Sequence, residues 1–163
     1  MYIVAMYCFH MATEEHAPTP GYLVWRLANK WRVAVDRALT PLGLTHAQYV
    51  LLASLYGLCR AGTRPSQREL ADHTGLEALY VSKLARGLET DGLVERVRDS
   101  RDSRAVRLAL TNKGRQVVQP AIVEVQVLLD RLLAPLGGKD GRRANALVRD
   151  LTALLETPLD LSD

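Results

Sequence analysis

Cysteine is nearly absent from this chain: Cys8 and Cys59 are the only two in 163 residues. A disulfide-dense scaffold is thereby excluded, and the usage points to a reducing cytoplasm. Long hydrophobic runs are missing too. The apolar opening MYIVAMYCF is too short to span a bilayer and has no basic stretch before it, so neither a membrane helix nor a secretory signal is expected. Met1 and Met11 both stand open as starts of translation. Catalytic patterns are absent as well, with no glycine-rich phosphate loop, no nucleophile elbow, and no His-x-x-x-His or Cys-x-x-Cys spacing. The four histidines, His10, His16, His46 and His73, are scattered, the last two reading as a helix first-turn residue and a turn residue. No catalytic group, cofactor or metal is expected.

What the chain does hold is 48% hydrophobic residues and a formal charge of +3. The first suffices for one ordinary core, and 163 residues are too few for two independent large domains. The second is compatible with nucleic acid and decides little, so the placement of charge has to carry the argument.

That placement centres on Pro65 to Thr111. Ser66 and Glu69 stand at capping-box spacing, which starts a helix just after Pro65. His73-Thr74-Gly75 interrupts the pattern, and Gly75 suits the left-handed conformation of a sharp inter-helix turn. A second helix starts at about Glu77, with Val81, Leu84, Ala85 and Leu88 at core spacing together with Leu70 and Ala71. Its other face carries Ala78, Leu79, Tyr80, Ser82, Lys83 and Arg86. In a DNA major groove such a set has a use, since apolar groups meet thymine methyls while Ser, Lys and Arg reach base edges and phosphates. The plainer alternative is that Leu79 and Tyr80 pack on a neighbouring element.

Asp91-Gly92 stops that helix, and Leu93 to Arg98 alternates as a strand, Leu93, Glu95 and Val97 on one side and Val94, Arg96 and Arg98 on the other. After the polar turn 99–103, a second strand sets Arg104, Val106, Leu108 and Leu110 on one face. The hairpin collects five arginines, from Arg96 to Arg107, against Asp99 and Asp102. Charged turns are usually just solvated. The Asp-Ser-Arg spacing adds a second reading, because a carboxylate two residues away can hold a guanidinium extended toward a narrow minor groove.

These residues resemble the MarR family of bacterial transcription regulators: REL-A-x-x-TGL, then VSKLARGLETDGLVERVRDSRDSRAVRLALTNKG. The similarity implies a mainly α fold with a small β wing, a winged helix-turn-helix in each subunit of a helical homodimer. It also implies that the helix from Glu77 enters the major groove and that Arg104, oriented by Asp102, is the wing residue of the minor groove. The candidate DNA interface then comprises Ser66, Gln67, Ala78, Leu79, Tyr80, Ser82, Lys83, Arg86, Arg98, Arg101, Asp102 and Arg104. Relatives of this kind often bind small aromatic or amphipathic effectors, for which Trp25, Trp31, His46, Tyr49 and Tyr56 are the available lining residues; plain core is the equal alternative.

The rest of the chain fits around this unit. Residues 1–20 read as a leader, Ala12 to Gly21 being polar and proline-punctuated. A long helix from about Tyr22 to Thr40 bears a wide stripe including Val24, Ala28, Trp31, Val35 and Ala38, with the two tryptophans as packing anchors. Pro41 breaks it and Thr45 restarts the next, with Gln48 completing a second capping box and Val50 to Leu58 apolar nearly all round. Thr111 caps a helix that runs through Pro120, Pro135 to Gly138 ends it, and Arg142 to Glu156 forms a last amphipathic helix. Residues 21–44 and 112–163 are expected to make the helical dimerisation region, and residues 45–111 the winged helix-turn-helix that reads a pseudo-palindromic operator from the nucleoid. Two rivals remain at this stage. One is redox sensing through Cys8 or through Cys59, the latter reading as a small buried hydrophobe; the other is a winged-helix module for protein interaction.

Overall fold

The computed structural model describes residues 17–99 and 105–159. These form six α-helices and one two-stranded antiparallel sheet: α1 (Pro20–Leu39), α2 (His46–Arg60), α3 (Gln67–Thr74), α4 (Ala78–Thr90), β1 (Val94–Arg98), β2 (Val106–Leu110), α5 (Asn112–Leu133) and α6 (Arg142–Glu156). The mainly helical class with a β wing is thus the one found, and the order helix, turn, helix, hairpin is that of a winged helix-turn-helix. Two compact units are present, one ending at His46 and the other beginning at Ala47.

In the first unit α1 begins two residues earlier than its apolar stripe suggested. Thr19 caps it, its hydroxyl accepting from the Tyr22 amide at 3.3 Å. Pro20 suits a first helical turn because its amide hydrogen would have no partner there. The helix ends at Leu39; Thr40-Pro41-Leu42 forms a 3-10 turn that Gly43 closes at φ 69°. Val35, Leu39 and Leu44 are buried, whereas Leu23, Val24, Trp25, Leu27 and Val33 are exposed. Among the described residues the wide stripe is therefore fully covered only at its C-terminal end. The Asp36 carboxylate accepts from the His46 amide at 2.7 Å, which satisfies one of the orphan donors where α2 starts.

The core of the second unit is built from every element around the hairpin. Leu51, Leu52 and Leu55 of α2, Leu70 of α3, Val81, Ala85 and Leu88 of α4, Leu108 of β2, and Val118 and Ala121 of α5 are fully buried. The all-round apolar character of α2 is explained by that central place. Fully burying each leucine stabilises the fold by about 1.5 to 3 kcal/mol relative to leaving it in water. Helix α5 starts where Thr111 accepts from the Gly114 amide at 2.9 Å and continues through Pro120. Gly137 and Gly138 take positive φ before α6 begins. Only Ala144 of α6 is buried; Val148, Leu151, Leu154 and Leu155 stand exposed. No helix among the described residues is long and apolar enough to cross a membrane.

Candidate nucleic-acid interface

The first helix of the helix-turn-helix is set by its cap. Ser66 Oγ accepts from the Glu69 amide at 3.1 Å and the Glu69 carboxylate accepts from the Ser66 amide at 2.6 Å, the reciprocal pair that the spacing predicted. The same bond to the Ser66 amide, with lesser help from Arg107, holds the Glu69 carboxyl below its ordinary range. Gly75 at φ 68° makes the turn into α4, a conformation costly to residues with a β-carbon.

Helix α4 faces two environments. Val81, Ala85 and Leu88 are fully buried and Leu84 is half-buried. On the outer face Ala78, Tyr80, Lys83 and Arg86 are exposed, Ser82 is half-buried, and Leu79 is 86% exposed. Packing of Leu79 on a neighbouring element among the described residues of the same subunit is therefore excluded. A cleft of about 750 Å³ runs beside this face, lined by Ser66, Gln67, Arg68, Asp72, Ala78, Ala105 and Val106. Gln67 is half-buried, and its Nε2 is shielded from solvent without a protein acceptor, so it is less outward than the other candidates.

In the hairpin, β1 and β2 pair from Val94 opposite Leu110 to Arg98 opposite Val106, and the Asp99 amide continues the ladder to Ala105 O at 2.9 Å. A third, single-bridge partner joins them: Ser66 bridges Arg107, and the Leu108 amide donates to Pro65 O at 2.9 Å. The sequence reading missed this pairing. Pro65 has no amide to signal a strand, yet its carbonyl suits the end of one.

Among the described hairpin arginines, Arg96 and Arg107 pair with neighbouring carboxylates. Arg96 pairs with Glu89 at the end of α4 at 3.0 Å. Arg107 donates to Asp99, to Glu69 at 3.1 Å and to the Arg64 carbonyl at 2.9 Å. Arg98 is exposed, as a phosphate contact requires. Arg101, Asp102 and Arg104 lie outside the described residues, as does Cys8. At its base the hairpin is locked to α5, where the Thr111 hydroxyl donates to Gly92 O at 2.8 Å and Lys113 Nζ to Asp91 O at 2.7 Å.

The effector candidates divide between the units. Trp25 is exposed, and Trp31 and His46 are half-buried, in the first; Tyr49 and Tyr56 are half-buried in the second. Burial lowers the affinity of His46 for a proton and raises the Tyr49 phenol above its usual value. Tyr56 is shifted the other way, chiefly by the Gln119 amide that donates to its oxygen at 3.0 Å and also by Arg60 and Arg115. Cys59 corrects an expectation. It is half-buried rather than a core hydrophobe, because the last turn of α2 opens into a cleft of about 400 Å³ lined mainly by polar residues, Arg64, Glu95, Asn112 and Arg115 among them. Among the described residues no three His, Cys, Asp or Glu side chains gather as metal ligands.

A buried-backed helix with a solvent-facing apolar and basic surface, an adjoining cleft and an arginine-bearing hairpin define a winged helix-turn-helix regulator by architecture. Comparison with known proteins agrees. The model of the MarR family matches residues 42–105. An uncharacterised HTH-type transcriptional regulator of Bacillus subtilis (strain 168), YdcH, is 35% identical over 66% of this chain and 74% of its own length. The HTH-type transcriptional repressor Rv2887 of Mycobacterium tuberculosis (strain ATCC 25618 / H37Rv) is 30% identical over 86% of this chain and 98% of its own. Among solved structures, the transcriptional repressor CouR bound to a 23-mer DNA duplex superposes with a TM-score of 0.73 at 29% identity, over 85% of this chain and 93% of that one. CouR from Rhodococcus jostii RHA1 bound to p-coumaroyl-CoA gives 0.70 at 25% identity, over 88% and 96%. The chain belongs to the MarR family, whose relatives here are transcriptional regulators.

Proposed function

We propose that this protein is a sequence-specific DNA-binding repressor that reads a pseudo-palindromic operator as a homodimer. The observation that carries the reading is the outer face of α4, where Leu79 stands 86% exposed beside exposed Lys83 and Arg86 while Val81, Ala85 and Leu88 on the opposite face are fully buried. A monomer has no use for an isolated leucine of that exposure next to cations, and a major groove has one for each. The reading assigns Ala78, Leu79, Tyr80, Ser82, Lys83 and Arg86 to base edges and nearby phosphates, Ser66, Gln67, Arg98 and Arg101 to the backbone, and Arg104, steadied by Asp102, to the flanking minor groove.

Residues 21–44 and 112–163 serve as the dimerisation region in this scheme, supported by the exposed apolar residues of α1 and of α6. A two-fold axis then sets the two α4 helices about one duplex turn apart, roughly 34 Å. A small aromatic or amphipathic effector releases the operator by binding the DNA-incompetent spacing more tightly. The ligand-bound structure of CouR supports that step by analogy. The protein works in the cytoplasm on the nucleoid.

The test is selection of duplexes from a random pool, followed by gel shifts on the winning sequence. Lys83→Ala and Arg86→Ala each weaken binding by about 1 to 3 kcal/mol if they read bases. Arg104→Ala weakens it most on A·T-rich flanks, and affinity falls steeply with salt as phosphate counterions are released. Unchanged shifts for all three variants defeat the assignment.

A further inference from the structure

Among the described arginines of the hairpin, the one with the most partners is one that the DNA-reading scheme does not use. Arg107 projects from β2, and its guanidinium gathers three acceptors from three separate stretches of chain. Nε donates to the Asp99 carboxylate at the end of the hairpin stalk; Nη1 donates to Glu69 Oε2 at 3.1 Å and to the carbonyl of Arg64 at 2.9 Å, just before α3. The last two lie 38 and 43 residues away in sequence.

Each acceptor is itself held. Glu69 is fixed by the Ser66 amide at 2.6 Å, Asp99 is only 10% exposed and its amide is laddered to Ala105, and Arg64 precedes the segment whose Pro65 carbonyl receives the Leu108 amide. A planar fork satisfies such a fixed set from two separate nitrogens, Nε and Nη1, whereas a lysine ammonium gathers its donors at a single point on a flexible stem. The base of the hairpin is bound separately, through Thr111 to Gly92 and through Arg96 to Glu89.

We propose that Arg107 is the positioning residue of the wing: it ties the outer stalk of the hairpin to the start of α3, so that the finger and α4 meet the duplex as one preset reader. The inference rests on the DNA-reading function proposed above and adds to it a residue that does not itself touch DNA. A finger held in place before encounter loses less freedom on entering the minor groove, and the difference appears as affinity.

Two variants test it. Arg107→Lys keeps the charge and removes the fork; Asp99→Asn removes one acceptor charge. Hydrogen exchange without DNA is expected to speed up at the Asp99 and Leu108 amides in both, with α5 unchanged. On the selected operator both bind about tenfold more weakly, a difference of about 1.4 kcal/mol. Hydroxyl-radical protection of the outer minor grooves is lost, while guanine N7 protection in the major grooves stays. If Arg107 instead contacts phosphate, Arg107→Lys keeps its affinity and Asp99→Asn, freed of a negative charge, binds more tightly; that result overturns the proposal. Unaltered exchange at Asp99 and Leu108 overturns it too, as does a uniform loss of protection, which makes Arg107 a general stabiliser. If the wild-type protein protects no duplex, the DNA-reading function itself fails and this inference with it, whatever the exchange shows.

Discussion

Gly114 and Leu93 meet backbone to backbone: a β-carbon on Gly114 would lie 2.0 Å from the Leu93 carbonyl oxygen and 3.2 Å from a methyl of Leu110. The same carbonyl accepts from the Thr111 amide at 3.1 Å, so the first turn of α5 is pressed onto the root of the hairpin.

Gly114→Ala should therefore destabilise the protein by about 1 to 3 kcal/mol through forced displacement of backbone. The sign is informative, because alanine in a helix without that contact would stabilise it by up to about 1 kcal/mol. Urea unfolding of the two proteins measures it, and a gain in stability would show that the approach is not as close as described.

A second prediction concerns acid. His46 holds its proton less tightly in the folded protein than the ordinary value of 6.5, mainly because burial disfavours the imidazolium and also because Arg32 is near, against the opposing pull of Asp36. The unfolded chain then takes up that proton first. This contribution to stability is complete above pH 6.5 and is lost as pH falls through the lower folded value. His46→Gln should lessen the drop in unfolding free energy between pH 7.5 and pH 5.5. An identical pH slope in both proteins would refute it.

The third prediction tests the dimer. Leu154 and Leu155 of α6 are 65% and 86% exposed in the single subunit. In a monomer Leu154→Asp and Leu155→Asp would be harmless. If a partner helix covers them, each leucine contributes about 1.5 to 3 kcal/mol at the interface, and a carboxylate buried there costs more than that gain. Light scattering on the double variant should report a helical monomer that no longer shifts operator DNA. A dimer of undiminished strength would remove α6 from the interface.

The order of elements was legible because its signals are local. Ser66 with Glu69, Gly75, Asp91-Gly92 and Thr111 each act on neighbours within a few residues, and all four stops and starts stand where their spacing put them. The split of α4 was legible for the same reason: a helical period assigns Val81, Ala85 and Leu88 to one side and Leu79, Lys83 and Arg86 to the other before any partner is known. Less could be read at helix ends, where Thr19 and Pro20 lengthened α1 beyond its apolar stripe.

What tertiary structure alone decided is which like residues differ. Five arginines crowd the hairpin, and nothing in their spacing says that Arg96 and Arg107 turn to Glu89, Glu69 and Asp99 while Arg98 stays in water. Cys59, read as core, opens on a polar cleft because of what α5 and the hairpin bring beside it. Periodicity and capping act through the nearest few peptide units, so a chain carries them wherever it goes; an ion pair across 38 residues exists only once packing has brought its ends together.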